Sequence, residues 1–480
     1  MSCLNEIGLS RKQMVFAVLE STCGTLAWPN ATTDFVRPAG QAVMSQTPTF
    51  VDSEELQDTL DVLDQFQNAM PPGEFTVPMY VRPAGYLGTL GTEAATIPQG
   101  DPFFRSMQGS MICGTHATLH TTLASPATGV TEIHLSGIAT PFPMHGVLFI
   151  TSKSTQLVKY DSIVYGSTRT TATVSDLTWG YKSSSPGTAS QGDAILLRSR
   201  FYKQDTDSPS FSLWIETDHF VQGMSGCSVN NATLGVNNEG AVTIEWTGQG
   251  MEMVWAGTGT CASPQVVNAT RIRVSDARLY SVGARIWNET KSDTGGAGYV
   301  ISAVSHAAAA SIITLASGTA ATWGLNNIIR GFLPGAASTA TPAVIGSPIE
   351  SRLTSMELDG VATTFKGGDF TFAVPKEYIA DEVGTDFPED YVENVRSITS
   401  TLDLYFKRAN ANLFTTGYNG ATASLYLTFG DTDQNRFELH MDRCQLEVPT
   451  ITFTAPAVNL SIPMKALGTL GEDSCEIVFN

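Results

Sequence analysis

The chain has 480 residues, 42% of them hydrophobic and 15% charged, and its 46 acidic and 27 basic residues give a formal net charge of −19. This length suits two or three domains with their own cores, and the hydrophobic content excludes wholesale disorder. A surface of this sign repels phosphate, which disfavours a protein that grips nucleic acid or anionic lipid through a basic patch, but not one that nucleic acid merely passes.

Alternating apolar and polar residues predict antiparallel β-strands along most of the chain. The clearest segments are EFTVPMYVR (74–82), SFSLWI (210–215), AVTIEWTG (241–248), TLDLYFK (401–407), SLYLTF (424–429), RFELHM (436–441) and VNLSIPM (458–464). Because each segment has one apolar and one polar face, we expect sheets with a dry side against a core and a wet side.

Helical patterns are rare. Residues 51–73 carry apolar residues at roughly helical spacing after an acidic start, which predicts one helix that ends at Pro71-Pro72-Gly73. The segment DPFFRSMQGSMICG (101–114) predicts a second helix, with Asp101 as the N-cap and Pro102 at the first helical position.

Two stretches, 116–201 and 277–345, are rich in Ser, Thr, Ala and Gly and resemble each other loosely, with a TWG tripeptide in each. We interpret them as two small β domains of one design. The predicted fold is therefore mainly β, with two tandem β-sandwich or barrel modules that contain short helices and each carry a small inserted β domain. The predicted boundaries are 1–115 plus 202–262 for the first module, 116–201 for the first accessory domain, 263–345 for the second accessory domain or linker, and 346–480 for the second module.

Residue patterns that carry chemistry are weak. His116 and His120 have the spacing of two metal ligands on a helix, but the accompanying glutamate is missing. The glycines of GMSGCSV (223–229) are misplaced for a nucleophile elbow. We predict a protein that is not an enzyme and has no catalytic residue, cofactor or metal.

The seven cysteines are dispersed and lack CxxC spacing, which favours free thiols in a reducing compartment. A disulfide such as Cys227 with Cys261 stays open. The sequence has no run of about 18 apolar residues and no signal-peptide pattern at its start, so we expect neither a membrane span nor export by that route.

Amphipathic antiparallel sheets leave unpaired backbone groups at their edges, and a ring of copies removes those edges. Two similar modules in one chain halve the number of chains that such a ring needs. If the ring encloses a channel, one sheet face packs on the core and the other lines the bore. A bore that passes DNA needs polar, preferably acidic walls, because Lys and Arg contacts would arrest the polymer.

Several blocks of the chain resemble successive parts of the tail tube (major tail) proteins of tailed bacteriophages. They are FAVLESTCGTLAWPNATTDFVRP (16–38), the 74–82 strand, the 102–114 helix, the run 211–250, and the stretch from SRLTSMELDG (351–360) to the end of the chain. Together they are similar to the fused type with two tube modules, in which three chains form a pseudo-six-fold ring. The two inserted domains depart from the minimal pattern and are similar to decorations on the outside of some tubes.

The resemblance implies a structural virion protein, assembled in the host cytoplasm, whose rings stack into the hollow tube of a long-tailed phage. It implies contacts with other copies of the chain and with tape-measure, tail-tip and tail-terminator proteins, passage of phage DNA without tight binding, and no membrane. The candidates for residues that line the lumen are Glu245, Asp403, Glu438 and Asp442. The candidates for contacts between rings come from the segments 51–70 and 377–397, and they are Glu54, Glu55, Asp58, Asp61, Asp64, Glu389 and Asp390.

Three other classes stay open from the residues alone. A carbohydrate-binding or adhesive β-sandwich surface protein is compatible with the Ser/Thr-rich insertions. A glycan-cleaving β enzyme is compatible with the many carboxylates. Another virion component, such as a capsid or sheath protein, shares the need for closed sheet edges.

Overall fold

The computed structural model describes most of the chain, in segments. The described residues are 13–30, 34–54, 64–83, 98–112, 116–120, 130–138, 142–143, 146–150, 157–160, 162–167, 170–179, 190–197, 200–205, 208–218, 220–237, 240–307, 310–333, 347–430, 436–454, 457–468 and 473–479. No helix within these residues is long and apolar enough to cross a membrane.

The described residues form strands and few helices, so the prediction of a mainly β fold is confirmed. The strands of the first half are β1 (Met14–Leu19), β2 (Phe35–Val36), β3 (Val43–Ser45), β4 (Phe50–Asp52), β5 (Gln65–Gln67), β6 (Gly73–Tyr80), β7 (Gly109–Ile112), β8 (His116–Leu119), β9 (Glu132–Ser136), β10 (Gly146–Ile150), β11 (Leu157–Tyr160), β12 (Ser162–Tyr165), β13 (Thr171–Ser175), β14 (Thr178–Trp179), β15 (Ala194–Leu197), β16 (Arg200–Gln204), β17 (Phe211–Glu216) and β18 (Val221–Asn237). Those of the second half are β19 (Thr243–Gly250), β20 (Glu252–Ala256), β21 (Gly259–Thr260), β22 (Arg271–Arg273), β23 (Arg285–Asn288), β24 (Tyr299–Ala307), β25 (Ala310–Leu315), β26 (Ile328–Gly331), β27 (Thr354–Leu358), β28 (Val361–Thr363), β29 (Gly367–Ala373), β30 (Lys376–Ile379), β31 (Asp390–Glu393), β32 (Ser397–Tyr405), β33 (Thr422–Phe429), β34 (Phe437–Leu446), β35 (Thr450–Thr454), β36 (Ala457–Ala466) and β37 (Glu476–Phe479).

Within the described residues the α-helices are α1 (Asp101–Gln108) and α2 (Asn412–Tyr418), and 3₁₀ turns occur at Ala277–Leu279, Ser351–Leu353 and Arg408–Asn410. Helix α1 lies where a helix was predicted, but Gly100 is its N-cap and Asp101 is its first residue, where the Asp101 carboxylate pairs with Arg105 at 2.8 Å. Phe103 is fully buried and stacks on Trp246, with ring centroids 5.5 Å apart, which fixes the helix on the sheet.

The predicted helix over 51–73 is wrong for the residues that the structure describes. Phe50, Val51 and Asp52 pair with Gln67, Phe66 and Gln65 in a two-stranded hairpin, and the chain then continues as an extended segment. Three of the four apolar positions behind the helical pattern, 56, 60 and 63, lie outside the described residues.

Two sets of strands repeat one arrangement. In the first set β1 pairs with β2 and β17, β6 pairs with β3 and β19, and β18 pairs with β17, β19 and β20. In the second set β27 pairs with β28 and β33, β32 pairs with β29 and β36, and β34 pairs with β33, β36 and β37. A two-stranded hairpin precedes β6 and β32, and a helix follows each of them. We refer to these sets as the first and second modules; one hydrophobic cluster holds core residues from both.

The two inserted domains also share a strand order. The first insertion (β8–β15) contains the ladders β9–β13–β12 and β10–β15–β8, and the second insertion (β21–β26) contains the ladders β22–β25–β24 and β23–β26–β21. The tryptophans of the two TWG tripeptides, Trp179 and Trp323, lie between corresponding strands. This agreement supports the interpretation of one design, while the second sheet begins at Gly259, before the predicted boundary at residue 263.

Each insertion packs on a module. The hydrophobic core of the second insertion continues into Phe16 and Trp214 of the first module, and the Arg285 guanidinium lies 4.0 Å from the ring centroid of Trp28. The hydrophobic core of the first insertion includes Val478, which belongs to β37 of the second module. Although the first insertion interrupts the first module in sequence, it therefore covers part of the second.

Candidate functional site

The two modules join edge to edge into one continuous sheet. The second half of β18 pairs antiparallel with β29, from Asn231 opposite Ala373 to Asn237 opposite Gly367. We call this pairing the module seam. With it, the order β3–β6–β19–β18–β29–β32–β36–β35 forms one sheet across both modules.

One side of this sheet packs on the core and the other side is polar. On β32, for example, Ile398, Leu402 and Leu404 are buried, whereas Thr401 and Asp403 between them are exposed. The polar face, as we define it, consists of Glu74, Thr76, Pro78, Tyr80, Thr243, Glu245, Thr247, Gln249, Asn231, Thr233, Gly235, Asn237, Gly367, Asp369, Thr371, Ala373, Ser397, Thr399, Thr401, Asp403, Tyr405, Asn459, Ser461, Pro463, Lys465, Thr450 and Thr452. Among these residues four are carboxylates and one is a cation, Lys465, so the face is acidic and rich in threonine.

Two of the four predicted lumen residues lie on the polar face. Glu245 is exposed between Pro78 and Thr233, and Asp403 is exposed between Gly367 and Ser461. Two further exposed carboxylates, Glu74 and Asp369, lie on the same face and were missed as candidates. The alternation in EFTVPMYVR places Glu74 on the wet side of its strand, and the same pattern in GGDFTFA would have found Asp369.

The other two predicted lumen residues lie elsewhere. The prediction that Glu438 is on a wet face is wrong, because its residue surface is only 4% exposed. Glu438 lies opposite Val478, which belongs to the core of the first insertion, so the insertion covers this face. The Glu438 carboxylate is 3.2 Å from Nε2 of the equally buried His440. Asp442 is exposed and accepts a hydrogen bond from Tyr426 at 2.9 Å, on a part of β34 outside the polar face.

Among the described residues, β3 and β35 are the outermost strands of the continuous sheet, and each pairs with a strand on one side only. We call them the open edges. Irregularities in the strand pairing align β18 of the first module with β34 and β35 of the second. The register shift between Phe211 and Leu213, where β17 pairs with β18, matches the shift between Ala423 and Leu425, where β33 pairs with β34. The shift between Val229 and Asn231 in β18 matches the break between β34 and β35. This alignment makes Ile451 and Phe453 of β35 the counterparts of Leu234 and Val236 in the module seam.

The counterparts differ in burial. Leu234 and Val236 are 0% and 5% exposed because β29 covers them, whereas Ile451 and Phe453 are 38% and 84% exposed. The same alignment makes β3, at the far end of the sheet, the counterpart of β29. At β3, Ala42 and the core-facing Met44 are buried, and Val43 lies opposite Thr76, on the same side of the sheet as the polar face. Strand β35 therefore presents exposed apolar side chains at its open edge, whereas β3 presents backbone groups.

Two hairpins lie next to each other, one in the connection from β3 to β6 and the other in the connection from β29 to β32. Hairpin A (β4–β5) exposes Phe50 and Phe66, which are 55% and 57% exposed. Hairpin B (β30–β31) carries Val383 in its loop, fully exposed. The Met70 N–H, just after hairpin A, donates to the carbonyl of Asp386 in hairpin B at 2.9 Å.

Four of the residues predicted to make contacts between rings lie in or beside these hairpins. Glu54, Asp64, Glu389 and Asp390 are exposed, while Glu55, Asp58 and Asp61 lie outside the described residues. The sequence pointed to the acids of these segments, whereas the structure adds exposed apolar side chains among them. Contiguous exposed apolar patches mark contact surfaces, and these side chains lie on two hairpins that contact each other.

Hairpin B is anchored in the first module. The buried Lys376 ammonium donates to the carbonyl of Ser106 at 2.9 Å and lies 3.6 Å from the Glu393 carboxylate. Burial lowers the pKa of Lys376 to about 8, against the opposing effect of Glu393. Tyr378 donates its hydroxyl toward Gly226 and Gln249 at 2.8 Å each. This base holds the hairpin in a fixed direction.

Among the residues that the structure describes, no cluster of three or more His, Cys, Asp or Glu side chains could hold a metal ion. Cys227 is fully buried, and its thiol donates to the Met224 carbonyl at 3.3 Å. His219 lies outside the described residues.

A continuous sheet with one acidic face, two open edges and two exposed hairpins is the arrangement of a structural protein. The sequence profile of the family described as phage tail tube protein matches residues 10–466. The chain therefore belongs to the phage tail tube protein family and is a structural component of a virion tail. No curated protein matches the chain.

Proposed function

We propose that three copies of the chain close into a pseudo-six-fold ring and that these rings stack into the DNA-conducting tube of a long-tailed phage. The observation that carries the proposal is the pair of open edges. Within the chain, β18 of the first module meets β29 of the second. Between chains, the counterparts β35 and β3 are open and suit the same contact.

The module seam supplies the register for the contact between chains. When the register of the module seam is transferred to the corresponding strands, Thr450 lies opposite Ser45 of the next copy, Ile451 opposite Met44, and Phe453 opposite Ala42. The contact adds a strand ladder and buries Ile451 and Phe453 as Leu234 and Val236 are buried at the seam. Repeating one contact around a closed symmetry axis removes both edges of the continuous sheet in every copy.

In this ring the polar face lines the bore. Its carboxylates Glu74, Glu245, Asp369 and Asp403 repel the phosphate backbone, and its threonines form a wall without arginine forks that would hold DNA. The insertions pack on other surfaces of the modules and decorate the outside. Phage DNA passes without tight binding, after the tape-measure protein.

Hairpins A and B make the contact from ring to ring. A head-to-tail contact does not close, so it propagates a filament. The exposed Phe50, Phe66 and Val383 supply apolar area, and Glu54, Asp64, Glu389 and Asp390 surround it. The ends of such a tube suit tail-tip and tail-terminator proteins, and assembly takes place in the host cytoplasm.

The test is electron microscopy of the purified full chain across a range of concentration and salt. The proposal expects hollow tubes or discs with three-fold symmetry and six similar units around a central hole. A monodisperse monomer under every condition, or filaments without a hole, would contradict it.

A further inference from the structure

One end of the continuous sheet is already capped by a side chain. The Gln13 Nε2 donates to the carbonyl oxygen of Ala42 at 2.7 Å, and the Ala42 N–H donates to Oε1 of Gln13 at 2.9 Å. A side-chain amide that donates to and accepts from one residue imitates the pair of bonds that a neighbouring β-strand would make. Ala42 immediately precedes β3, at the open edge.

The module seam shows what the Gln13 amide replaces. Ala42 is the counterpart of Gly368, which lies opposite Val236 in the seam. The alternation of the ladder agrees with this assignment. Val374 donates to Asn230 of β18, so the even-numbered residues of β29, Gly368 included, direct their backbone groups toward β18. In the free chain, Gln13 therefore occupies the groups that Phe453 of the next copy would bind.

We propose that Gln13 is a removable edge cap that slows ring closure until another copy displaces it. This inference rests on the proposed ring and adds its regulation. Native proteins protect open edges because unpaired strands template aggregation. At low protein concentration, the two hydrogen bonds from the Gln13 side chain compete successfully with the strand of another copy for the backbone groups of Ala42. A whole strand that also buries Ile451 and Phe453 outcompetes them once copies are abundant.

The test compares the full-length wild type with Gln13→Ala and Gln13→Glu by light scattering and microscopy during assembly. A net hydrogen bond is worth a factor of about five in an equilibrium constant. Because the cap makes two such bonds, we expect Gln13→Ala to assemble at a roughly 25-fold lower protein concentration than the wild type, into tubes of the same diameter. Gln13→Glu accepts from the Ala42 N–H but cannot donate to its carbonyl at neutral pH, so its threshold should lie between the two.

Hydrogen exchange at the Ala42 amide distinguishes an edge cap that another copy replaces from a contact that only stabilises the fold. We expect this amide to be protected in wild-type monomer, unprotected in Gln13→Ala monomer, and protected again in tubes of both. An unchanged or raised assembly threshold for a folded Gln13→Ala monomer would overturn the edge cap. Misfolding of that variant, shown by circular dichroism, together with slower assembly of Gln13→Glu would also overturn it. A wild type that never forms rings would instead refute the proposed function.

Discussion

Cys227 and Cys444 occupy corresponding positions in the two modules, and each thiol donates to the carbonyl of a methionine three residues earlier. The sulfur-to-oxygen distances are 3.3 Å to Met224 and 3.8 Å to Met441, and both cysteines are fully buried. The same alignment that pairs these residues pairs Leu234 with Ile451. The Met-x-x-Cys correspondence thus supports, independently of the strand pairings, the equivalence on which the proposed ring rests.

A charge placed on the open edge should prevent ring closure without unfolding the chain. Ile451→Lys puts an ammonium where burial is expected only in the ring, and desolvating an unpaired charge costs several kcal/mol. We expect a folded monomer by circular dichroism and no rings by microscopy. Val361→Lys changes a residue that is 62% exposed on β28 and should assemble normally. Rings of normal yield from Ile451→Lys would remove this edge from the assembly.

Charges on the hairpin tips should separate stacking from ring closure. Phe66→Asp and Val383→Asp add charge to the proposed apolar contact between rings, so we expect single discs in place of tubes. The acidic alternative is tested by Glu389→Gln with Asp390→Asn. If the carboxylates stabilise the contact between rings, the double variant should form no tubes, while Phe66→Asp and Val383→Asp should still form them.

Reversing the charge of the polar face should make this surface bind DNA. Glu245→Lys with Asp403→Lys adds two cations per chain, or six per ring, and phosphate contacts make binding strongly dependent on salt. We expect tubes of normal diameter that retain labelled DNA at low salt and release it as salt rises, whereas wild-type tubes retain none. Retention unchanged by the substitutions would place these residues outside the bore.

Glu216 should make stability fall as pH rises through a defined window. Burial raises the pKa of Glu216 from its ordinary 4.5 to about 7, despite the nearby Arg330. Between these values the folded state holds a proton that the unfolded state releases, so stability is lost as pH rises from about 4.5 to 7.

The variant Glu216→Gln lacks this titration. Its melting temperature should match that of the wild type near pH 4.5 and exceed it above pH 7, where the gain is at most about 3 kcal/mol. Glu357→Gln is the control, since residue 357 is exposed. A difference between Glu216→Gln and the wild type that does not depend on pH would show that the carboxyl is charged throughout the window.

The strands of the polar face could be predicted because their alternation is undisturbed. Segments 74–82, 241–248 and 401–407 each have one buried and one solvated side, as their sequences indicate. The same pattern failed at Phe437–Met441, where both sides are buried, because an inserted domain distant in sequence covers the polar one. The alternation within one strand does not indicate whether a segment distant in sequence packs on its polar side.

Other features had weak or misleading local signals. Helix α2 spans only seven residues, Asn412–Tyr418, with two threonines and a glycine, which are poor helix formers. The side-chain cap at Ala42 depends on Gln13, 29 residues away, and no spacing rule connects them. The edge positions of Ile451 and Phe453 became apparent only from the register that links the two modules.

We propose that the chain completes its sheet with other copies around an acidic pore. A cryo-electron microscopy reconstruction of tubes assembled from the unmodified chain would show these contacts themselves. We expect Thr450–Phe453 of one copy paired with residues 42–45 of the next, and Glu245 and Asp403 facing an open channel. Tubes in which both edges remain unpaired, or in which these carboxylates face the outside, would contradict it.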